Sequence, residues 1–347
     1  MQAAGSTRTG RTTVPELIIV PVDPHDDEAV GRRTDLHIAA EEADLPGDPP
    51  ISRIVQAGML RHPWPGTERL AWLAMANGEA VGALDFDLST VDNLDTAPFG
   101  LEVHPQHRRR GIGRALLAAA IEKAVAGGRN RLVTEAALGG AGEAFARAVG
   151  ARSVLVETER RLVLDDLDEP HIADLLADAL AHSSGYSVLQ WVGPTPDEHL
   201  AAMGELTSRM STDAPLDDLA WEPEVFDADR LREADQRSEL RGNISYVTAA
   251  RNDSSGSVVG FTRLVVARDV RTVAWQWQTI VLPEHRGHRL GMLVKVANLD
   301  HLRTHEPAVS VIHTGNADSN APMLRVNIAL GFVPVRQWSE WELTAPG

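Results

Sequence analysis

The sequence predicts an α/β protein of the α+β kind, built as two similar units in tandem, each a mixed, mostly antiparallel sheet flanked by helices. Three observations predict it. The chain repeats itself: "VHPQHRRRGIG", starting at Val103, returns as "VLPEHRGHRLG", starting at Val281, 178 residues on. Short apolar strands and hairpins precede each copy, and a helix, a strand, a helix and a closing strand follow it. The 347 residues also exceed the roughly 100–200 of one typical domain.

The elements follow in order. The polar start "MQAAGSTRTGRTTVP" has no apolar run and is expected to be a disordered leader over 1–13. A first unit is expected over 14–165. It opens on the strand "ELIIVPV" and a helix from Asp26 to Glu42, then a hairpin turning at Asn77-Gly78, a pair suited to a type I′ turn. The helix "GRALLAAAIEKAVAGG" follows the repeated loop, and "GGAGEAFARAVGA" reads as a degraded helix. From Asp165 to His182, apolar residues at Ile172, Leu175, Leu176, Ala179 and Leu180 keep helical spacing, giving a helical linker over 166–184. The second unit, 185–347, repeats the plan: "YSVLQWV", a helix from Pro196 to Met210, a hairpin with a Ser/Gly-rich turn, and the helix "GMLVKVANLDHLRTHEP". The offset sets Pro105, His107, Arg108 and Gly113 on Pro283, His285, Arg286 and Gly291, and Gly82 on Gly260. Continued downstream it sets Glu135 on His313, with a slip of three residues expected only before Gly150 and Gly331.

Composition narrows the function. A net charge of -16 argues against a nucleic-acid partner. No apolar run approaches the roughly 20 residues of a membrane span, so a cytoplasmic monomer or homodimer is expected. The absence of cysteine excludes disulfides, thiolate metal sites and a cysteine acyl-enzyme, and no metal site is expected.

The repeated loop carries the chemistry. A strand, small residues and a helix start together present backbone N–H groups and a positive dipole end to an anion. Arg108, Arg109, Arg110 and Arg114 supply guanidinium groups suited to phosphate oxygens. No Gly-Lys-Ser/Thr follows, which excludes a Walker loop, and the dinucleotide fingerprint spacing is absent.

"RRRGIG" resembles the Arg/Gln-x-x-Gly-x-Gly/Ala pyrophosphate loop of the GNAT superfamily of N-acetyltransferases, and the duplication, with "HRGHRLG", "NAPMLRVNIALGF" and "MSTDAPLDDLAWEPE", is similar to actinobacterial tandem members. The resemblance covers nearly the whole chain. It implies acetyl-CoA or CoA, with the pyrophosphate on Arg108, Arg109, Arg110, Gly111, Ile112, Gly113 and Arg114 and the pantetheine along Leu101 to Val103. In the second unit it points to Val281, Arg286, Gly287, His288, Leu290 and Gly291, with Arg289 where the first glycine belongs.

The resemblance also suggests a base. Glu102 stands on the strand before the first loop, whereas Ile280 takes the matched place in the second, with Gln278 nearby. Glu135 and His313 end the next strands. The spacing of Asn320, Asn327 and Gly331 matches the family's Asn-x6-Tyr-x3-Gly, but Ala146 and Asn327 stand where its acidic Tyr is expected. Trp275 and Trp277 share a strand face, as core or as substrate wall. The implied activity is direct transfer of an acetyl group to the amine of a small molecule. A mycothiol-synthase-like acceptor, or a CoA-binding regulator or scaffold without turnover, are the alternatives.

Overall fold

The structure is a computed structural model, and it describes residues 17–345; the expected leader over 1–13 lies outside them. The first half runs β1 (Ile18–Pro21), α1 (Asp27–Asp44), α2 (Arg53–Arg61), β2 (Thr67–Ala76), β3 (Glu79–Ser89), β4 (Thr96–Val103), α3 (Ile112–Ala126), β5 (Arg131–Ala137), α4 (Ala141–Val149) and β6 (Arg152–Val163). After α5 (Glu169–His182), the second half runs β7 (Tyr186–Val192), α6 (Leu200–Asp213), α7 (Ala228–Leu240), β8 (Asn243–Asn252), β9 (Val258–Ala267), β10 (Val270–Val281), α8 (Leu290–His305), β11 (Val311–Ala317), α9 (Ala321–Ala329) and β12 (Val333–Thr344). Helices α2 and α7 have no counterpart among the elements predicted from sequence.

The β2–β3 turn has positive φ at both Asn77 and Gly78, as its dipeptide predicts. Helix α3 is rich in Ala and Leu, strong helix formers, and buries Ile112, Leu116, Leu117, Ala120 and Ala124 against β3, β4 and β5. Helix α5 does more than link the halves. Ile172 and Ala179 are buried in the second half's core beside residues of α8.

All strands join one twelve-stranded sheet in the order β1-β2-β3-β4-β5-β12-β6-β11-β10-β9-β8-β7. The closing strands are exchanged: β12 inserts between β5 and β6 of the first half, and β6 pairs with β11 of the second. Periodicity could not reveal this, since an apolar strand reads alike whichever edge it joins. A further contact sets α2 against the turn after α7. A Cβ on Gly58 would stand 2.5 Å from the Arg241 Cα, so only glycine admits that approach.

The sheet register corrects the expected alignment. Thr96 pairs with Arg131, whereas Ala274, 178 residues after Thr96, pairs with Ile312, 181 after Arg131. The slip of three residues therefore falls before β5 and β11, in the connection leaving α8. The counterpart of Glu135 is Asn316, and His313 matches Leu132.

Candidate active site

The two loops share one backbone plan. Positive φ occurs at Arg109 (64°) and Gly111 (87°) in the first, and at Gly287 (88°) and Arg289 (55°) in the second. Glycine and arginine have exchanged places across the repeat while the turn persists. Each loop is tied down in the same way. The Arg108 Nε donates to the Val103 carbonyl and its Nη atoms grip both Asp44 oxygens at 2.6 and 2.8 Å; Arg286 Nε donates to the Val281 carbonyl and its Nη2 to Asp213. Arg108 thus fixes the loop to α1, whereas Arg109, Arg110 and Arg114 stay exposed around it.

Beyond the loop, β4 pairs with β5 only from Thr96 to Pro98. The chain from Phe99 to Val103 then leaves β5, so its backbone N–H and C=O groups on that edge face open space. Helix α4 is a true helix, capped by Gly150 in the left-handed region, and its small residues Gly142 and Ala144 line the gap. The corresponding residues of α9 are Met323 and Arg325, which are bulkier.

This gap opens into a cavity of about 1550 Å³ that reaches Leu101, Glu102, Val103, Arg108, Arg109, Gly111, Ile112, Gly113 and Arg114. It extends across the sheet face to Trp64, Arg69 and Asp85 and then to Arg230, Arg263, Trp277 and Gln278 of the second half. The wall includes Trp338 and Glu340 of the exchanged β12. None of Arg286, Gly287, His288, Arg289, Leu290 or Gly291 borders it.

Glu102 faces this cavity. Its Oε1 lies 2.6 Å from His37 Nδ1, and its Oε2 is buried with no hydrogen-bond partner. A carboxylate held by a histidine through one oxygen, with the other unpaired, is able to take a proton from a nearby amine. His37, on α1, was not legible as a site residue: its partner is 65 positions away and no local motif marks it. Beside it Glu41 is pushed above the usual carboxylate range, chiefly by burial.

Glu135 also opens to the cavity, and enclosure by the protein pushes its carboxyl upward. Glu340 sits directly opposite on β12. Burial, and then the charges of Glu135 and Glu157, push its pKa up to about 8 from an ordinary 4.5. The native state therefore binds more protons than the unfolded chain between those values. The associated stability is complete below pH 4.5 and is lost as pH rises toward 8. Glu340→Gln is expected to flatten that slope, so that thermal melts show a variant about 1 kcal/mol more stable than the native protein at pH 8.5 and little different at pH 5.

The remaining predicted residues have other surroundings. His313 is buried in the sheet, its Nδ1 2.6 Å from Glu159 Oε1, and its ring lies 5.0 Å from that of Trp275. Burial raises the Glu159 carboxyl, but the bonds from His313 and Trp338 and the charge of Arg336 bring it below the usual range. Asn320 caps α9, accepting from Met323 N at 3.3 Å. Asn327 is buried between Lys295 Nζ at 2.8 Å and Asn316 Oδ1 at 2.6 Å. Burial lowers the pKa of Lys295 to about 7. Three polar residues thus fill the second half where Leu117, Glu135 and Ala146 stand in the first. Gln278, by contrast, lines the cavity shared with the first half, with its Oε1 buried and unpartnered.

Comparisons with known proteins agree with this geometry. The profile of the Acetyltransferase (GNAT) family matches residues 40–150. A tandem GNAT protein from the clavulanic acid biosynthesis pathway, solved without acetyl-CoA, is 34% identical, with a TM-score of 0.80 over 96% of this chain and 99% of that one. The mycothiol acetyltransferase of Mycobacterium sp. (strain JLS) is 28% identical over 257 residues, 72% of this chain and 76% of that protein. A GCN5-related N-acetyltransferase from Sphaerobacter thermophilus, 16% identical, shares the fold with a TM-score of 0.66 over 95% of this chain and 96% of that one.

Proposed function

The chain belongs to the GNAT family of acetyltransferases in its tandem form and is an N-acetyltransferase, and from that premise we propose that it has one working donor site, in its first half, serving a small-molecule amine held between the halves. The observation that carries this reading is the single cavity joining the first loop, the free edge of β4 and the unpaired oxygen of Glu102.

Acetyl-CoA fits the residues present. The backbone of 109–114 at the start of α3, with Arg109, Arg110 and Arg114, would hold its phosphates. The free edge from Phe99 to Val103 would receive the pantetheine, with room left by Gly142 and Ala144. The bound group supplies an activated acetyl thioester. The chain's own part is to bring an amine beside Glu102, whose Oε2 accepts its proton while His37 fixes Oε1. A backbone N–H on the free edge of β4 would donate to the thioester carbonyl oxygen. With no cysteine in the chain, direct transfer is the economical route. On this reading the units are 14–165 and 185–347, joined by 166–184, with closing strands exchanged. The second half then supplies acceptor contacts, and the buried Lys295–Asn327 pair, with Met323 and Arg325 where the first half has Gly142 and Ala144, leaves less room for a donor of its own. We place the protein in the cytoplasm; no helix of the described residues is long and apolar enough to cross a membrane.

A mycothiol-related acceptor is a second reading, favoured by the likeness to mycothiol acetyltransferases. The test of transfer is release of free CoA thiol from acetyl-CoA with a panel of amines, alongside the intact mass of the protein. Turnover with no mass change when the amine is omitted is expected. Acetyl-CoA binding without turnover of any amine favours the scaffold alternative, and a stable acetyl-enzyme contradicts direct transfer.

A further inference from the structure

We propose that the acceptor amine also carries an oxyanion, a carboxylate, which is received on the cavity wall by Arg263 of the second half and Arg69 of the first. The inference rests on the donor site lying in the first half, and it deepens that reading by naming the acceptor's class.

The ion pairs on the cavity wall are reversed across the repeat. Asp85 on β3 and Arg263 on β9 occupy matched positions, 178 residues apart, and both line it. In the first half the strand bears the carboxylate and α1 the guanidinium, Arg33; in the second the strand bears the guanidinium and α7 the carboxylate, Asp235. Asp85 and Asp235 are both held by arginines, so the first half's carboxylates on the cavity that no arginine holds include Glu102 and Glu135, which suit an ammonium, while Arg263 in the second half keeps an unpaired edge.

The arginines have unused valence. Among the described residues, Arg263 is bonded only through Nη1, to Asp235 at 2.8 Å, and Arg69 only through Nη1, to Asp87 at 2.5 Å. Their side chains are 6% and 9% exposed, and each Nε is buried without a partner. The Nε–Nη2 edge of a guanidinium is the fork that matches a carboxylate bidentately. Two such edges on one cavity, left without protein acceptors, call for an acceptor from the ligand, since buried donors left unmade are costly.

Local structure turns the Arg263 side of the wall toward the ligand. The ladder between β9 and β10 shifts between Gln276 and Thr279, a bulge opposite Arg263 that sets Trp277 and Gln278 on the cavity wall. Trp277 meets Trp64 of the first half edge-on at 6.2 Å, and both are partly exposed on that wall. An apolar segment between amine and carboxylate would lie against this corner. Asp87, bonded to Arg69, is four residues beyond Ala83 on β3, and Ala83 pairs with Glu102, so Arg69 and Glu102 are roughly 13 Å apart at strand rise. The acceptor is accordingly extended.

The test uses the intact protein, acetyl-CoA and a series of amino acids, ω-amino acids and dipeptides, each paired with its methyl ester. The free acids are expected to exceed their esters by about 100-fold in kcat/KM, because the ester leaves the guanidinium edges unpaired. Arg263→Lys and Arg69→Lys keep a cation beside Asp235 and Asp87 but lose the fork. Each is expected to narrow the acid-to-ester ratio about tenfold or more through KM, with acetyl-CoA affinity unchanged. Esters used as well as acids, acids neither used nor bound, or ratios unmoved by both variants would overturn the proposal. No binding of acetyl-CoA by the native protein would instead refute the donor site on which it rests.

Discussion

Gly111→Asp is expected to abolish acetyl-CoA binding, with at least a ~100-fold rise in Kd by calorimetry on the intact chain. Gly111 caps α3 at φ 87°, a backbone region that costs an L-residue roughly 1–2 kcal/mol. The new carboxylate would also stand at the anion-receiving end of the helix, where the dipole and exposed arginines are arranged for phosphate. The control lies in the same molecule. Arg289 occupies the matched place in the second loop and already holds a left-handed φ of 55°. Arg289→Asp breaks an exposed pair with Asp178, worth at most about 1 kcal/mol, and is expected to leave Kd unchanged. Equal losses from both substitutions would mean that both loops carry CoA.

Glu102→Gln should lower kcat by about 10²–10³ with little change in acetyl-CoA affinity, since the amide keeps the shape but takes no proton. His37→Gln is expected to give a smaller loss, because it leaves the carboxylate but frees its orientation. A glutamine variant of Glu102 with native kcat would show that the acceptor reaches the thioester already neutral, and the base would have to be sought elsewhere on the cavity wall.

The duplicated loop made the repeat and the strand–loop–helix order readable and marked the residues proposed to hold the donor, because a turn with positive φ and a helix start depends on nearby residues alone. Even the Gly/Arg exchange at 109, 111, 287 and 289 stands in the sequence. The pairing partners do not. Glu102 was legible from its strand, but His37 reaches it from α1, and only the folded sheet brings them together. His313 resembled a site residue because a three-residue insert was placed one element too late. Ladder register sets it beside Trp275 on the neighbouring strand, bonded to Glu159. The small residues of α4 looked like decay, yet they line the donor gap. Gln278 was read as part of the second half's chemistry. The bulge in β10 instead gives it to the cavity of the first. Exchange of β6 and β12 has no local signal at all, since it depends on which of two equivalent edges a closing strand meets.

The central claim is that this duplicated chain keeps one donor site, in its first half. Calorimetric titration of the intact protein with acetyl-CoA tests it most directly. One molecule bound per chain, lost in Gly111→Asp and retained in Arg289→Asp, is the predicted result. Two molecules per chain, or one that survives Gly111→Asp and is lost in Arg289→Asp, would contradict it.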